Sequence, residues 1–260
     1  MVREPAVAGS FYPAEPMQLA RMVDELLAMA SSPPAHAPKA VVAPHAGYVY
    51  SGPVAAYSFR ALEPLAGREP TVFLLGPAHY VAFDGVSTGN FTYWETPLGQ
   101  VPVDTERLGE LLERSALFNA ADEPHLPEHS LEVELPFLQA VLGRFKLVPL
   151  LFGLVDPLLV APHLDAVVRP GDVVVVSTDL SHYHPDETAR RLDAATLETA
   201  LALDAAGLLQ HEACGRHPWA ALTALAAYRG WRPELLAYAT SGDTSGDRSR
   251  VVGYAALRYD

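Results

Sequence analysis

The sequence predicts a three-layer α/β/α sandwich around a central, mostly parallel or mixed sheet. Three observations carry that expectation. Short runs of near-continuous Val, Leu and Phe read as strands buried on both faces. Helix-periodic segments separate them. The alternation runs over most of the 260 residues, half of which are apolar, and strand–helix alternation of this kind builds α/β layers. The length sits at the upper end for one compact core, and no repeat or low-complexity tract divides it, so residues 1–260 read as one domain.

Taken in order, the first pattern is an amphipathic helix in which Leu19, Met22, Val23, Leu26 and Leu27 recur at three- and four-residue spacing. Residues 31–38, rich in Ser and Pro, make a connection of ordinary length. Residues 40–43 form the first buried strand. A helix over 53–62 follows, with Ser51-Gly52-Pro53 as its start and proline in its first turn. Strands are expected at 71–75, 86–88 and 100–103, then a helix at 105–114. Ser130 caps a helix over 130–142 whose apolar face carries Leu131, Leu135 and Leu138. A strand at 147–152, a helix at 157–168 and a strand at 172–177 continue the alternation. Helices at 186–203 and 218–228 and strands at 235–240 and 251–258 complete it.

Composition excludes several classes. There are 18 basic and 31 acidic residues, a net charge of −13, and no cluster of Lys and Arg. Such a chain repels nucleic acid and anionic lipid. Cys214 is the one cysteine, which rules out an internal disulfide and a four-cysteine zinc site. The first residues lack a signal-peptide pattern. The longest apolar stretch, 147–168, is broken by Pro149, Asp156, Pro157, Pro162 and Asp165, so no membrane span is expected. A cytoplasmic protein is the expectation. No phosphate-binding glycine loop and no G-x-S-x-G elbow is present.

Chemistry gathers where strands end. Residues 41–43 run into Pro44-His45-Ala46-Gly47-Tyr48, residues 72–75 into Gly76-Pro77-Ala78-His79-Tyr80, and residues 173–176 into Ser177-Thr178-Asp179-Leu180-Ser181-His182-Tyr183-His184. Open α/β sheets bind ligands in the crevice at the carboxyl ends of their strands. If these strands are parallel neighbours, His45, His79, Asp179 and His182 share one crevice. Singly, each has a plainer reading: a His bonded to a loop carbonyl, an Asp closing a turn, and Gly47, Gly52 and Gly76 serving positive φ or close approach. Three coincident strand ends weigh against the plainer set. Cys214 precedes a helix start at Pro218, where the helix dipole and Arg216 favour a thiolate; the alternative is a buried, inert cysteine. In Glu128-His129-Ser130-Leu131-Glu132, the residues Glu128, His129 and Glu132 face either the crevice or solvent. Tyr48, Tyr50, Tyr80 and Tyr183 would rim the cleft of a binding module, or else pack after the strands. His36, His125, His163 and His211 read as surface histidines.

Together, Ala8-Gly9-Ser10-Phe11-Tyr12-Pro13, Ala43-Pro44-His45-Ala46-Gly47-Tyr48, Gly76-Pro77-Ala78-His79, Glu128-His129-Ser130-Leu131-Glu132, Ser177-Thr178-Asp179-Leu180-Ser181-His182 and Cys214-Gly215-Arg216-His217-Pro218 resemble the Memo family, whose prokaryotic members are also called AmmeMemoRadiSam system protein B. The matches run in the family's order across essentially the whole chain. The resemblance implies a fold similar to the class III extradiol dioxygenases, the LigB-like group. It implies a metal site of His45, His79 and Cys214, with Asp179 and His182 lining the same cleft. It also implies a functional link to radical S-adenosylmethionine and AMMECR-type proteins. Two imidazoles and a thiolate suit iron or copper, with zinc as a further candidate. The leading expectation is metal-dependent redox chemistry on an unidentified small molecule, with Asp179 and His182 carrying protons. The alternatives are a binding module that captures a peptide or protein in the same cleft, and a zinc-assisted hydrolase.

Overall fold

The computed structural model describes residues 1–31 and 33–260; Ser32, inside the predicted 31–38 connection, lies outside the described residues. The first half of the chain runs β1 (Val2–Arg3), α1 (Pro16–Met29), β2 (Ala40–Ala43), α2 (Tyr48–Arg60), β3 (Thr71–Pro77), β4 (Val86–Ser87), β5 (Tyr93–Thr96), β6 (Gly99–Pro102), α3 (Thr105–Arg114), β7 (Phe118–Asn119) and α4 (Leu135–Leu142). The second half runs β8 (Lys146–Phe152), α5 (Pro157–Val167), β9 (Val173–Ser177), β10 (His182–His184), α6 (Asp186–Leu201), α7 (Ala205–Leu208), α8 (Arg216–Arg229), β11 (Pro233–Thr240), α9 (Ser241–Ser245) and β12 (Val251–Tyr259).

The large sheet is mixed. Strands β2, β9, β3 and β8 lie side by side and parallel. Antiparallel β12 flanks β2 and pairs with β10 and β11, while β4 and then β7 extend the sheet beyond β8. Strands β1, β5 and β6 form a separate small sheet. Val173 to Val176 are all fully buried, which is why that run reads as continuous valine without alternation. Helices flank the sheet in two groups: α1, α2 and α4 pack on one another, and α5 packs on α3 and α8. No helix among the described residues is long and apolar enough to cross a membrane.

Three local departures from expectation have physical causes. Helix α2 begins at Tyr48, and Pro53 lies inside it. Tyr48 is buried against Phe137 with ring centroids 4.9 Å apart, and that packing adds the early turn. Gly52 lets α1 approach: a Cβ there would meet Leu26 Cδ1 at 2.7 Å. Ser130 caps no helix. Its hydroxyl donates to the carbonyl of Pro77 at 2.8 Å, and α4 starts five residues later, after a 3-10 turn at Glu132–Glu134.

His125, expected at the surface, is fully buried. It sits edge-on to Trp94 at 5.7 Å, and Arg3 holds its carbonyl. Burial, with the Arg3 charge beside it, lowers its pKa to about 4. The unfolded ring titrates near ~6.5, so unfolding takes up about one proton between those values and stability falls as pH drops through that window. His125→Phe is expected to reduce the pH slope of stability there by that one proton, as read from urea titrations at several pH values.

Candidate metal centre

Strand register builds the site. Ala43 pairs with Ser177 across β2 and β9, and Leu75 pairs with Val176 across β3 and β9. The loops that follow these three strands therefore leave the sheet together at its carboxyl edge, as the sequence led us to expect. His45, His79, Asp179 and His182 all line one cavity of about 660 Å³. His129 joins them from the loop before α4. The ligating atoms of His45, His79 and His129 all lie within 4.8 Å of one another. Cys214 Sγ sits 3.2 Å from His45 Nε2 and accepts from the Asp179 amide at 3.2 Å.

Each imidazole is held from behind. His45 donates its backbone N–H to Asp179 Oδ1 at 2.9 Å, and its Nδ1 lies 2.7 Å from the Ser177 hydroxyl. His79 meets Glu128 twice: its amide reaches Oε2 at 2.6 Å and its ring Nδ1 reaches Oε1 at 2.8 Å. Glu128 also accepts from the amides of His129 and Ser130. His129 stacks on His79 with centroids 4.6 Å apart, and its Nδ1 lies 3.2 Å from the Tyr80 hydroxyl. With Nδ1 engaged in all three rings, Nε2 is the nitrogen left to a ligand, and at His45 it faces Cys214 Sγ. A carboxylate behind a histidine fixes its tautomer and raises its basicity in many metal sites.

Electrostatics favour neutral rings. Burial, then repulsion from His129 and His79, lowers the His45 pKa well below the ordinary value. Burial lowers His129 to about 4 and also depresses His182. Neutral imidazole is the form that binds metal. Burial raises Glu128, but the His79 contacts and the Ser130 amide outweigh it, so its carboxyl is held below the usual range. Burial pushes Asp179 up to about 7. The three histidines could thus hold a metal ion, with a sulfur nearby and an ionised carboxylate in support.

Several expectations need correction. The thiolate at Cys214 is not favoured in the folded chain: burial, reinforced by Asp179, pushes its thiol up to about 12. Helix α8 begins at Arg216, which makes Pro218 its third residue, and the dipole does not overcome desolvation. Tyr48 is no part of the rim; its hydroxyl donates to the carbonyl of Val133 inside the core. Tyr50, Tyr80 and Tyr183 do line the cavity. Glu132 faces neither crevice nor solvent but is buried in an ion pair with Arg3. Sequence reasoning missed His129 as a member of the nitrogen cluster, and Phe11, whose ring packs 4.7 Å from His129. The available signal was the adjacency of His129 to Glu128, which has no apolar-period explanation.

Glu128→Gln keeps the shape but removes the charge behind His79. Loss of a partner behind a metal ligand costs about 10–100-fold in metal affinity, and that range is the expected result in competition titrations with a chelator.

An α/β protein with a histidine-lined cavity at the carboxyl edge of its parallel strands is the class that fold and site define. A solved structure of an uncharacterised protein from Escherichia coli K12 shares the fold, with a TM-score of 0.53 over 86% of this chain and 100% of that one, at 15% identity. The family described as Memo-like protein matches residues 3–258. A MEMO1 family protein of Methanopyrus kandleri is 40% identical over 282 residues, and one of Sulfolobus acidocaldarius 38% identical over 283. Each alignment covers all of this chain and 99% of the relative. The chain belongs to the Memo family.

Proposed function

We propose that this chain is a metal-dependent redox protein acting on a small molecule in the cavity. The observation that carries the reading is the convergence of His45, His79 and His129, with ligating atoms within 4.8 Å. His45, His79 and His129 would hold the ion, and Cys214, beside His45, adds a sulfur donor once its proton leaves. Imidazole and thiolate together suit iron or copper over magnesium or calcium. Such an ion, when bound, supplies one-electron exchange and polarisation of a ligand. The chain supplies proton handling. Asp179 has a pKa near neutrality, so its carboxyl both takes and returns a proton at working pH. Burial lowers the His182 pKa, which keeps its ring neutral and able to accept a proton on the cavity wall. Tyr50, Tyr80 and Tyr183 shade the mouth with aromatic surface. A reducing cytoplasm, where a lone thiol stays reduced, suits the site.

Elemental analysis of protein purified without an affinity tag, beside oxygen uptake with a panel of catechols and reductants, tests this reading. Bound iron or copper with metal-dependent uptake is the expected result. A redox-silent zinc ion with hydrolytic turnover would replace it with a hydrolase. Absence of both metal and turnover would leave a tyrosine-rimmed binding module.

A further inference from the structure

Ser177 closes β9 next to His45, and its hydroxyl oxygen makes three short contacts. These run to His45 Nδ1 at 2.7 Å, to the carbonyl of Ser130 at 2.6 Å and to Glu134 Oε1 at 2.7 Å. A hydroxyl has one proton to give and two lone pairs with which to accept. The Ser130 carbonyl carries no proton, so the serine's own proton goes there. The other two contacts must then be supplied from their far sides: by an N–H on His45 Nδ1 and by an O–H on Glu134. Any other distribution leaves a pair of bare lone pairs facing each other within 2.7 Å.

The surroundings of Glu134 agree. Its side chain is fully buried, and among the described residues it forms no ion pair and its Oε2 has no hydrogen-bond partner. A lone neutral carbonyl oxygen costs far less in such a place than an ionised carboxylate. Burial, outweighing the Ser177 contact and reinforced by Asp179, pushes the Glu134 pKa well above the usual carboxyl range.

We propose that Glu134 is a neutral carboxylic acid and a positioning residue: its O–H donates to Ser177, Ser177 accepts the Nδ1–H of His45, and the Nε2 lone pair of His45 is thereby held towards the cavity. The consequence for the metal rests on the redox reading above; the proton arrangement itself stands without a metal. It makes the site asymmetric. His79 leans on the ionised Glu128 and is the stronger donor. His45 leans on a neutral chain, Ser177 and Glu134, and keeps its charge balance when the ion leaves.

The experiment uses the full-length, metal-free protein. Two-bond 1H–15N NMR of the histidine rings is expected to show His45 with its proton on Nδ1. Infrared spectra are expected to show a buried protonated carboxyl band that disappears in Glu134→Gln. The glutamine amide still donates to Ser177, so that variant is expected to retain the His45 tautomer. Ser177→Ala is expected to mix the tautomers and to weaken metal binding by about 10–100-fold. A His45 proton on Nε2, or no protonated carboxyl at Glu134, overturns the proposal. If Glu134→Gln does not fold, 13C labelling of the glutamate carboxyl carbons reads the same proton in the unaltered chain. Failure of the redox reading looks different: the expected tautomer and carboxyl band in a protein that binds no transition metal.

Discussion

His45→Ala is expected to strip the protein of its metal. The residue is 2% exposed, and it is the one histidine of the three that also touches Cys214. Its loss removes a nitrogen that burial keeps uncharged and the ring that lies against the sulfur. Partners one step removed from an ion are worth about 10–100-fold, and loss of a ligand is expected to exceed the top of that range. Elemental analysis of tag-free protein should find the variant empty, while circular dichroism shows its secondary structure intact. Two further variants sort the donors. His129→Ala is expected to reduce affinity strongly, because it breaks the three-nitrogen set. Cys214→Ser is expected to shift preference from copper towards harder ions, because it exchanges a soft donor for an oxygen. Unchanged metal content in His45→Ala would sink the ligand assignment altogether.

How much of this was legible in the sequence depends on what each residue answers to. The parallel core was legible because β2, β3, β8 and β9 are buried on both faces, and that demands unbroken apolar runs. Helix α3 was legible to the residue, 105–114, and in the structure Asp104 caps its start by accepting from the amide of Arg107. The crevice was legible because strand ends are local features: His45, His79, Asp179 and His182 each sit a few residues past an apolar run. What failed were judgements that depend on contacts distant in sequence. His125 looks like a loop histidine until Arg3, 122 residues away, closes over it. Ser130 looks like a cap until the end of β3 takes its hydroxyl. Cys214 looks like a thiolate because a helix dipole is visible in sequence, whereas its burial, with Asp179 beside it, is not. His129 had no strand before it and so escaped the pattern that found the others. Strands β1, β5 and β7 are too short or too exposed to declare themselves by periodicity.

Glu132→Ala is expected to cost more stability than any substitution in the cavity. Glu132 is fully buried and gathers the amino-terminal segment around its two oxygens. It accepts from the Arg3 guanidinium, the amides of Ala6 and Val7 at 2.7 and 3.0 Å, and the Tyr12 hydroxyl at 2.5 Å. Arg3 in turn donates to the carbonyls of His125 and Glu128 and lies 4.7 Å over Trp94. Removing the carboxylate leaves a fully buried guanidinium without its counter-charge, a loss of about 3–5 kcal/mol. The two amides it abandons add to that, at about 1–3 kcal/mol for each buried donor left unpaired. Against a typical total of about 5–15 kcal/mol, the variant approaches the limit of folding, and its urea midpoint should fall accordingly. The double variant Arg3→Met, Glu132→Leu separates charge from packing. Removing both partners of a buried pair is often neutral, so the double variant is expected to recover most of the loss, apart from the two amides. A double variant no more stable than Glu132→Ala would show that the carboxylate matters for the amides and Tyr12 and not for Arg3. Because Arg3 holds the carbonyl of Glu128, the same residue whose side chain clamps His79, Glu132→Ala is also expected to weaken metal binding under conditions where the variant remains folded. That coupling ties the amino-terminal segment to the chemistry of the cavity.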